Sequence, residues 1–237
     1  MDLKESQILG EDINTHWYYV SKFQALKKII TNVPVTKLLD VGAGSAFFSK
    51  SLLEVKDVRE SCCVDISYEN EYEDNVDGKK IQYVKSIHSY DASLVLMMDV
   101  IEHVENDVDL LKEYINKVPS GCYFLISVPA FQWLWSGHDE FLDHKRRYSL
   151  QQLEQTVNQS GLQILNSQYF YAGVFPLVVM LRLLEKLRPN RLKQSQLKRH
   201  SAFVNSFLLK LSNFESSTLV GKNKLFGLTV FCLAKKE

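Results

Sequence analysis

The segment Leu39-Asp-Val-Gly-Ala-Gly-Ser-Ala-Phe47 constrains this chain more than any other. It joins the short apolar run Lys37–Val41 to Phe47–Val55, whose apolar spacing is helical, and so reads as strand, tight turn and helix. Gly42 and Gly44 let the backbone turn sharply and let a ligand approach it closely. The helix that follows offers unpaired N–H groups and the positive end of its dipole, for which a carboxylate is a natural partner. Asp65 closes a second apolar run, Cys62–Ile66, about 20 residues further on, the spacing of an acidic residue that accepts hydrogen bonds from ribose hydroxyls. Phe47 stands where a dinucleotide fingerprint needs its third small residue, which disfavours nicotinamide dinucleotides.

The same alternation continues along the chain. Apolar spacing predicts a helix over Trp17–Ile30 and another over Val108–Val118, and strands over Ile81–Val84, Ala92–Met98 and Gly121–Val128. The polar, acidic stretch Ser67–Gly78 reads as loop or frayed helix. Ser149-Leu-Gln-Gln152 has the form of a capping box opening a helix that Gly161 ends, and Leu162–Tyr171 supplies a sixth strand. A last strand runs from Leu228 to Ala234. Strands alternating with helices imply a doubly wound α/β fold with a largely parallel seven-stranded sheet, helices on both faces and a C-terminal helical insertion before the last strand. Residues 1–237 then form one domain, with 1–34 as an N-terminal helical lid and 174–223 as the insertion.

Composition narrows the partners. The 28 basic and 28 acidic side chains cancel, so no net field recruits nucleic acid. Cys62, Cys63, Cys122 and Cys232 lie in strand-like runs without CxxC spacing, which predicts buried reduced thiols rather than disulfides or zinc. The N-terminus, MDLKESQILGEDINTHW, lacks the apolar core of a signal peptide, so a cytoplasmic protein is expected. The apolar stretch Tyr169–Leu181 contains Gly173 and Pro176 and falls short of the ~20 residues that cross a bilayer. Lys186, Arg188, Arg191, Lys193, Lys198 and Arg199 follow it with no acidic residue between them, and Phe203, Phe207, Leu208 and Leu211 restore an amphipathic pattern. Such an insertion suits peripheral membrane contact or the cover of a lipid-like acceptor, and equally a solvated lid or the contact of a homodimer.

Leu38-Leu-Asp-Val-Gly-Ala-Gly-Ser-Ala46 and Asp99-Val-Ile-Glu-His-Val104 together resemble two motifs of class I S-adenosylmethionine-dependent methyltransferases, approximately hhDhGxGxG and DxIEHV. The likeness extends through Val128-Pro-Ala-Phe-Gln-Trp-Leu-Trp135, His138-Asp-Glu140 and His144-Lys-Arg-Arg-Tyr-Ser149, which look like the type-11/type-12, ubiquinone-biosynthesis-like branch. The resemblance implies a Rossmann-like fold that binds S-adenosylmethionine and releases S-adenosylhomocysteine. It further implies that Gly42 and Gly44 line the methionine portion, Asp40 buttresses the turn, Asp65 holds the ribose and Asp99 sits near the cofactor. For Asp40 and Asp99 the residues alone leave helix or turn capping open. Two positions depart from the family pattern: Ala46 replaces a usual glycine, and Ser86-Ile-His88 stands where an acidic residue near adenine is common.

Methyl transfer from a sulfonium needs an in-line nucleophile and exclusion of water, and a base only if the acceptor must lose a proton. His138, Asp139, Glu140, Asp143 and His144 follow the fifth strand, and His138 and His144 are the candidate catalytic bases. Glu102 and His103 read as residues that cap or orient the next helix. Arg146 and Arg147 either orient an anionic acceptor or pair with the acidic loop, and Tyr148 either lines a pocket or packs. Trp133, Trp135 and the aromatics Trp17–Tyr19 are placed to roof the site. No fixed ligand spacing points to a metal. The expected activity is methyl transfer to a small-molecule or lipid-linked acceptor, not to nucleic acid. The competing class is a nucleotide-binding module of this fold without turnover, which turnover with any acceptor excludes.

Overall fold

The structure, a computed structural model, describes residues 8–186 and 200–237. In chain order its main elements are α1 (Trp17–Ile29), β1 (Lys37–Val41), α2 (Phe47–Val55), β2 (Glu60–Val64), β3 (Tyr72–Val76), β4 (Lys79–Val84), β5 (Leu94–Met98), α3 (Asp107–Asn116), β6 (Tyr123–Pro129), α4 (Gly137–Phe141), α5 (Leu150–Gln159), β7 (Gln163–Phe170), α6 (Phe175–Lys186), α7 (Ala202–Thr218) and β8 (Thr229–Lys235). The strands form one sheet in the order β3-β4-β2-β1-β5-β6-β8-β7. Strands β4, β2, β1, β5 and β6 run parallel, β3 and β8 run opposite to them, and β7, paired antiparallel with β8, runs in their direction.

Both faces of β1, β2, β5 and β6 are covered, and this is why those strands are buried along most of their length instead of alternating. Leu38, Cys63, Leu94, Leu96 and Leu125 face a core shared with Phe23 and Leu26 of α1 and Phe48 and Leu52 of α2. Their sequence neighbours Leu39, Cys62, Val95 and Ile126 face a second core with Leu111 of α3 and Leu153 and Val157 of α5. All four cysteines are buried and free. The capping box at Ser149 is present: Gln152 N donates to Ser149 Oγ, and Ser149 N to the Gln152 side chain.

The sheet has eight strands rather than seven. The additional one, β3, lies within the acidic stretch that the sequence suggested was loop or frayed helix. Asp77 and Gly78 both have positive φ (52° and 78°), as the tight turn of a hairpin requires. Tyr72 stacks on Tyr83 with ring centroids 4.3 Å apart, and Glu73 pairs with Lys80 at 2.7 Å. An exposed polar edge strand is thus held by its cross-strand pairs and not by a buried face.

The insertion contributes α6 and α7, while Arg188, Arg191, Lys193, Lys198 and Arg199 lie outside the described residues. Helix α7 is fastened to the start of α1: Trp17 N donates to Asn205 Oδ1 at 2.8 Å, and Asn205 Nδ2 donates to Thr15 O at 2.9 Å. Among the described residues no helix is long and apolar enough to cross a membrane. The return from α7 to β8 passes tightly under β7: a Cβ on Gly227 would lie 2.3 Å from Phe170 O. Gly227→Ala is therefore expected to cost about 1–3 kcal/mol, read as a lower urea midpoint with an unchanged slope.

Candidate active site

The carboxyl ends of β1, β2 and β5 meet at the glycine turn. Gly42, Gly44 and Ala46 all have positive φ (63°, 54° and 58°), so Ala46 holds a conformation that costs a side-chain-bearing residue roughly 1–2 kcal/mol. Gly42 is required sterically as well, because a Cβ there would lie 2.7 Å from Val100 Cγ2. Asp40 is buried and accepts a hydrogen bond from Ser49 Oγ at 2.7 Å, tying the end of β1 to α2. Burial pushes its carboxyl up to about 6 against the lowering effect of that bond. Asp65 accepts from Gly44 N at 2.8 Å and from Ser67 N at 2.9 Å, and Tyr68 OH donates to Gly44 O at 2.9 Å. Helix α2 begins without a side-chain cap, and the buried Ser45 Oγ has no hydrogen-bond partner among the described residues. An uncapped helix start beside an orphan hydroxyl suits an anionic end of a ligand.

Asp99 follows β5 with φ of 56° and carries the charge at this junction. Its carboxylate receives the ammonium of Lys22, a hydrogen bond from Ser127 Oγ at 3.1 Å and one from Tyr18 OH at 3.4 Å. Burial acts to raise its pKa, but the Lys22 charge and hydrogen bond outweigh burial and hold it below the usual carboxylate range. The Lys22 side chain is itself fully buried, so α1 delivers a cation through the core to the head of β5.

Beside Asp99 opens a cavity of about 290 Å³. Trp17 and Tyr18 line it from α1, Leu177 and Leu181 from α6, His138 from α4, and Glu102, His103, His144 and Arg147 from the segments beyond β5 and β6. Both sequence-predicted histidines are therefore brought to one cavity. Of the expected cofactor residues Asp99 lines it, while Asp40, Gly42, Gly44 and Asp65 do not.

His144 is the better held of the two histidines. Its Nδ1 lies 3.0 Å from Asp139 Oδ1, and Arg147 grips the same carboxylate through Nε at 2.6 Å and Nη2 at 3.0 Å. Burial acts to raise Asp139, yet the His144 bond and the Arg147 charge hold it well below the usual range. Burial pushes His138 down to about 3, with Arg182 and Arg147 adding to the effect and Asp139 opposing it. Burial and then His144 push His103 down to about 4, whereas burial and the Asp99 charge raise Glu102.

The alternatives that the sequence leaves open are decided by these contacts. Glu102 and His103 line the cavity and do not cap α3, whose N-cap, Asn106, makes no side-chain capping bond. Arg147 is committed to Asp139, and Arg146 donates to Val104 O and Glu105 O at 3.0 and 2.7 Å, so both arginines serve the protein's own acceptors. Tyr148 is buried with its hydroxyl 2.7 Å from Asp107 Oδ2, outside the cavity lining. Trp17 and Tyr18 line the cavity, whereas Trp133 and Trp135 do not. Sequence reasoning missed Lys22 and Ser127 altogether. The only signal for Lys22 was a cation on the helix face occupied by Tyr18, its neighbour at i−4.

A family described as "Methyltransferase domain" matches residues 16–167. No curated protein matches the chain. Among solved structures, an S-adenosylmethionine-dependent methyltransferase from Archaeoglobus fulgidus is 18% identical with a TM-score of 0.54, covering 99% of this chain and 98% of its own. The phosphoethanolamine N-methyltransferase 2 of Haemonchus contortus, in complex with S-adenosylmethionine, is 16% identical with a TM-score of 0.54. That match covers 90% of this chain but 52% of the larger protein. The [4+2]-cyclase SpnF is 10% identical with a TM-score of 0.56, covering 92% of this chain and 81% of its own. At these identities the likeness is one of fold, and the cyclase illustrates that this fold does not dictate one chemistry.

Lys22→Met leaves the Asp99 charge without its principal counterion and is expected to cost about 3 kcal/mol or more at pH 7, measured by chemical denaturation. Because the folded pKa of Asp99 is depressed, its stabilising contribution is present above the unfolded value near 3.9 and is lost as pH falls through the folded value. The difference between wild type and variant is accordingly expected to shrink on acidification below about pH 4.

Proposed function

We propose that this chain, which belongs to the methyltransferase-domain family, transfers a methyl group to a hydroxyl of a small or lipid-linked acceptor held in the cavity beside Asp99. S-adenosylmethionine is the cofactor, and when bound it supplies an electrophilic methyl on a positively charged sulfur. The observation that carries the reading is an adjacency. Val100 packs against Gly42 of the glycine turn, where the helix start is uncapped and the Ser45 hydroxyl is an orphan, and the preceding residue, Asp99, lines the cavity.

Gly42 and Gly44 shape the turn, and Ser45 fits the methionine end of the cofactor, because its orphan hydroxyl stands at an uncapped helix start suited to an amino-acid carboxylate. Asp65 uses two of its acceptor sites on Gly44 and Ser67 and retains further lone pairs for ribose hydroxyls. Asp40 acts through the turn by holding Ser49. Trp17, Tyr18, Leu177 and Leu181 wall the cavity and keep water from the acceptor. Of the two candidate bases His144 has the geometry: Asp139 orients its ring and Arg147 fixes Asp139. His138, at about 3, is a weak proton acceptor near neutral pH and serves as part of the wall.

The apolar cavity mouth supports a lipid-linked acceptor. Leu177 and Leu181 line the cavity yet remain about half exposed (49% and 48%), and Met180, Leu183 and Leu184 continue the apolar surface along α6. Phe203 and Phe207 expose further apolar surface on α7. With the basic residues between 186 and 199 in the sequence, residues 174–223 combine the two attractions that bring a protein to an anionic membrane surface. The described parts of 1–34 and 174–223 accordingly act as the cover of a single methyltransferase domain.

Calorimetry on the purified chain is expected to give micromolar binding of S-adenosylmethionine and S-adenosylhomocysteine and none of NADH. Asp65→Ala should weaken both by roughly 5- to 150-fold, the equivalent of about 1–3 kcal/mol of lost hydrogen bonding. Unchanged affinity in the folded variant contradicts the role given to Asp65. In transfer assays with hydroxylated aromatic acceptors, a prenyl tail is expected to lower KM relative to the tail-less compound, and equal KM values contradict the lipid-linked reading.

A further inference from the structure

We infer that Glu102, His103 and His144 form a binding site for one divalent cation of the zinc, manganese or cobalt class within the cavity, with open positions that take the acceptor's oxygen. One donor atom from each residue lies within 4.8 Å of the other two. Around an ion with bonds of about 2.1 Å such atoms stand roughly 3 to 4.2 Å apart, so binding needs side-chain adjustments of an ångström or less. A backbone hydrogen bond sets the arrangement: Lys145 N donates to Glu102 O at 2.7 Å, which carries His144 to the end of β5. The His103 and His144 rings then meet edge to face, with centroids 4.7 Å apart.

A second observation points independently to a ligand at this place. Glu102 is fully buried, and neither of its carboxyl oxygens has a hydrogen-bond partner among the described residues. A buried carboxyl group without a partner is costly, and it lines the cavity together with both histidines. The surroundings of His144 match the requirement of a ligating imidazole. Its Nδ1 is taken by Asp139, which fixes the tautomer and leaves Nε2 with its lone pair available, and Arg147 anchors Asp139 in turn.

The donor set decides the class of ion. Two imidazole nitrogens and one carboxylate suit zinc and the neighbouring first-row metals, whereas magnesium and calcium prefer oxygen alone. Three protein ligands leave positions for water or substrate. The inference about the acceptor rests on reading this cavity as the acceptor site. There the cation replaces proton uptake by the His144 ring: it lowers the pKa of a coordinated hydroxyl, and the proton leaves to solvent. The resulting oxyanion forms the new C–O bond as the C–S bond of S-adenosylmethionine breaks, and the bonding electrons stay on sulfur as S-adenosylhomocysteine.

The test is a direct titration of the chelator-treated, untagged full chain with zinc and manganese, followed by calorimetry and by manganese electron paramagnetic resonance. One ion per chain is expected, with Glu102→Gln, which keeps the shape of the side chain, and His144→Gln each weakening it at least tenfold while the thermal transition is retained. No uptake by the wild-type chain, or equal uptake by Glu102→Gln, overturns the site. S-adenosylhomocysteine binding on the same samples separates the two readings. Cofactor binding without ion uptake overturns the cation site alone, and ion uptake lost in Glu102→Gln upholds it even where the cofactor fails to bind.

Discussion

The ammonium of Lys22 lies against the carboxylate of Asp99 with its side chain wholly removed from solvent. Much of the site's arrangement depends on that contact. An unpaired buried charge of either sign costs several kcal/mol, so the pair fixes the position of α1 relative to the head of β5. Ser127 at the end of β6 and Tyr18 one turn before Lys22 complete the coordination of the carboxylate, and the hydroxyl of Tyr171 donates to Tyr18 O at 2.7 Å. One ion pair thereby joins the N-terminal helix, two central strands and the segment leading into α6. The cavity lies where these elements meet.

The division of labour follows from the sheet. Parallel strands place their carboxyl ends side by side, where loops diverge and a crevice forms. The loops after β1 and β2 build the glycine turn, and those after β5 and β6 build the polar side of the cavity. Val100 touches the turn and Asp99 lines the cavity, so consecutive residues join the proposed cofactor region to the proposed acceptor region. The helices added outside the sheet contribute mainly apolar wall, which fits an acceptor carrying a hydrophobic portion.

The sequence showed what is local and hid what depends on distant partners. The elements around the glycine turn were legible because glycines, apolar runs and an acidic residue at fixed spacing are short-range signals; α2 and β1 fall on the spans their spacing predicts. Strand β3 was hidden because its residues are exposed and polar, although Asp77-Gly78 is a hairpin signal that the acidic composition around it obscured. Lys22 carries no sequence signal for an ion pair, and only the fold reveals a partner 77 residues away. His138 and His144 were legible as candidates, yet their difference was not: it comes from Asp139, Arg147 and burial. Glu102 and His103 were visible as a motif but assigned to helix orientation, because the backbone bond that brings His144 beside them joins segments far apart in sequence.

On the proposed reading the glycine turn and the cavity are two halves of one reaction site meeting at Asp99. A crystal structure of the chain with S-adenosylhomocysteine tests it most directly. The amino-acid end is expected on the turn around Gly42–Ser45, the ribose at Asp65, and the sulfur opening past Asp99 toward Glu102 and His144. A ligand whose sulfur faces away from that cavity, or one bound elsewhere on the chain, contradicts it.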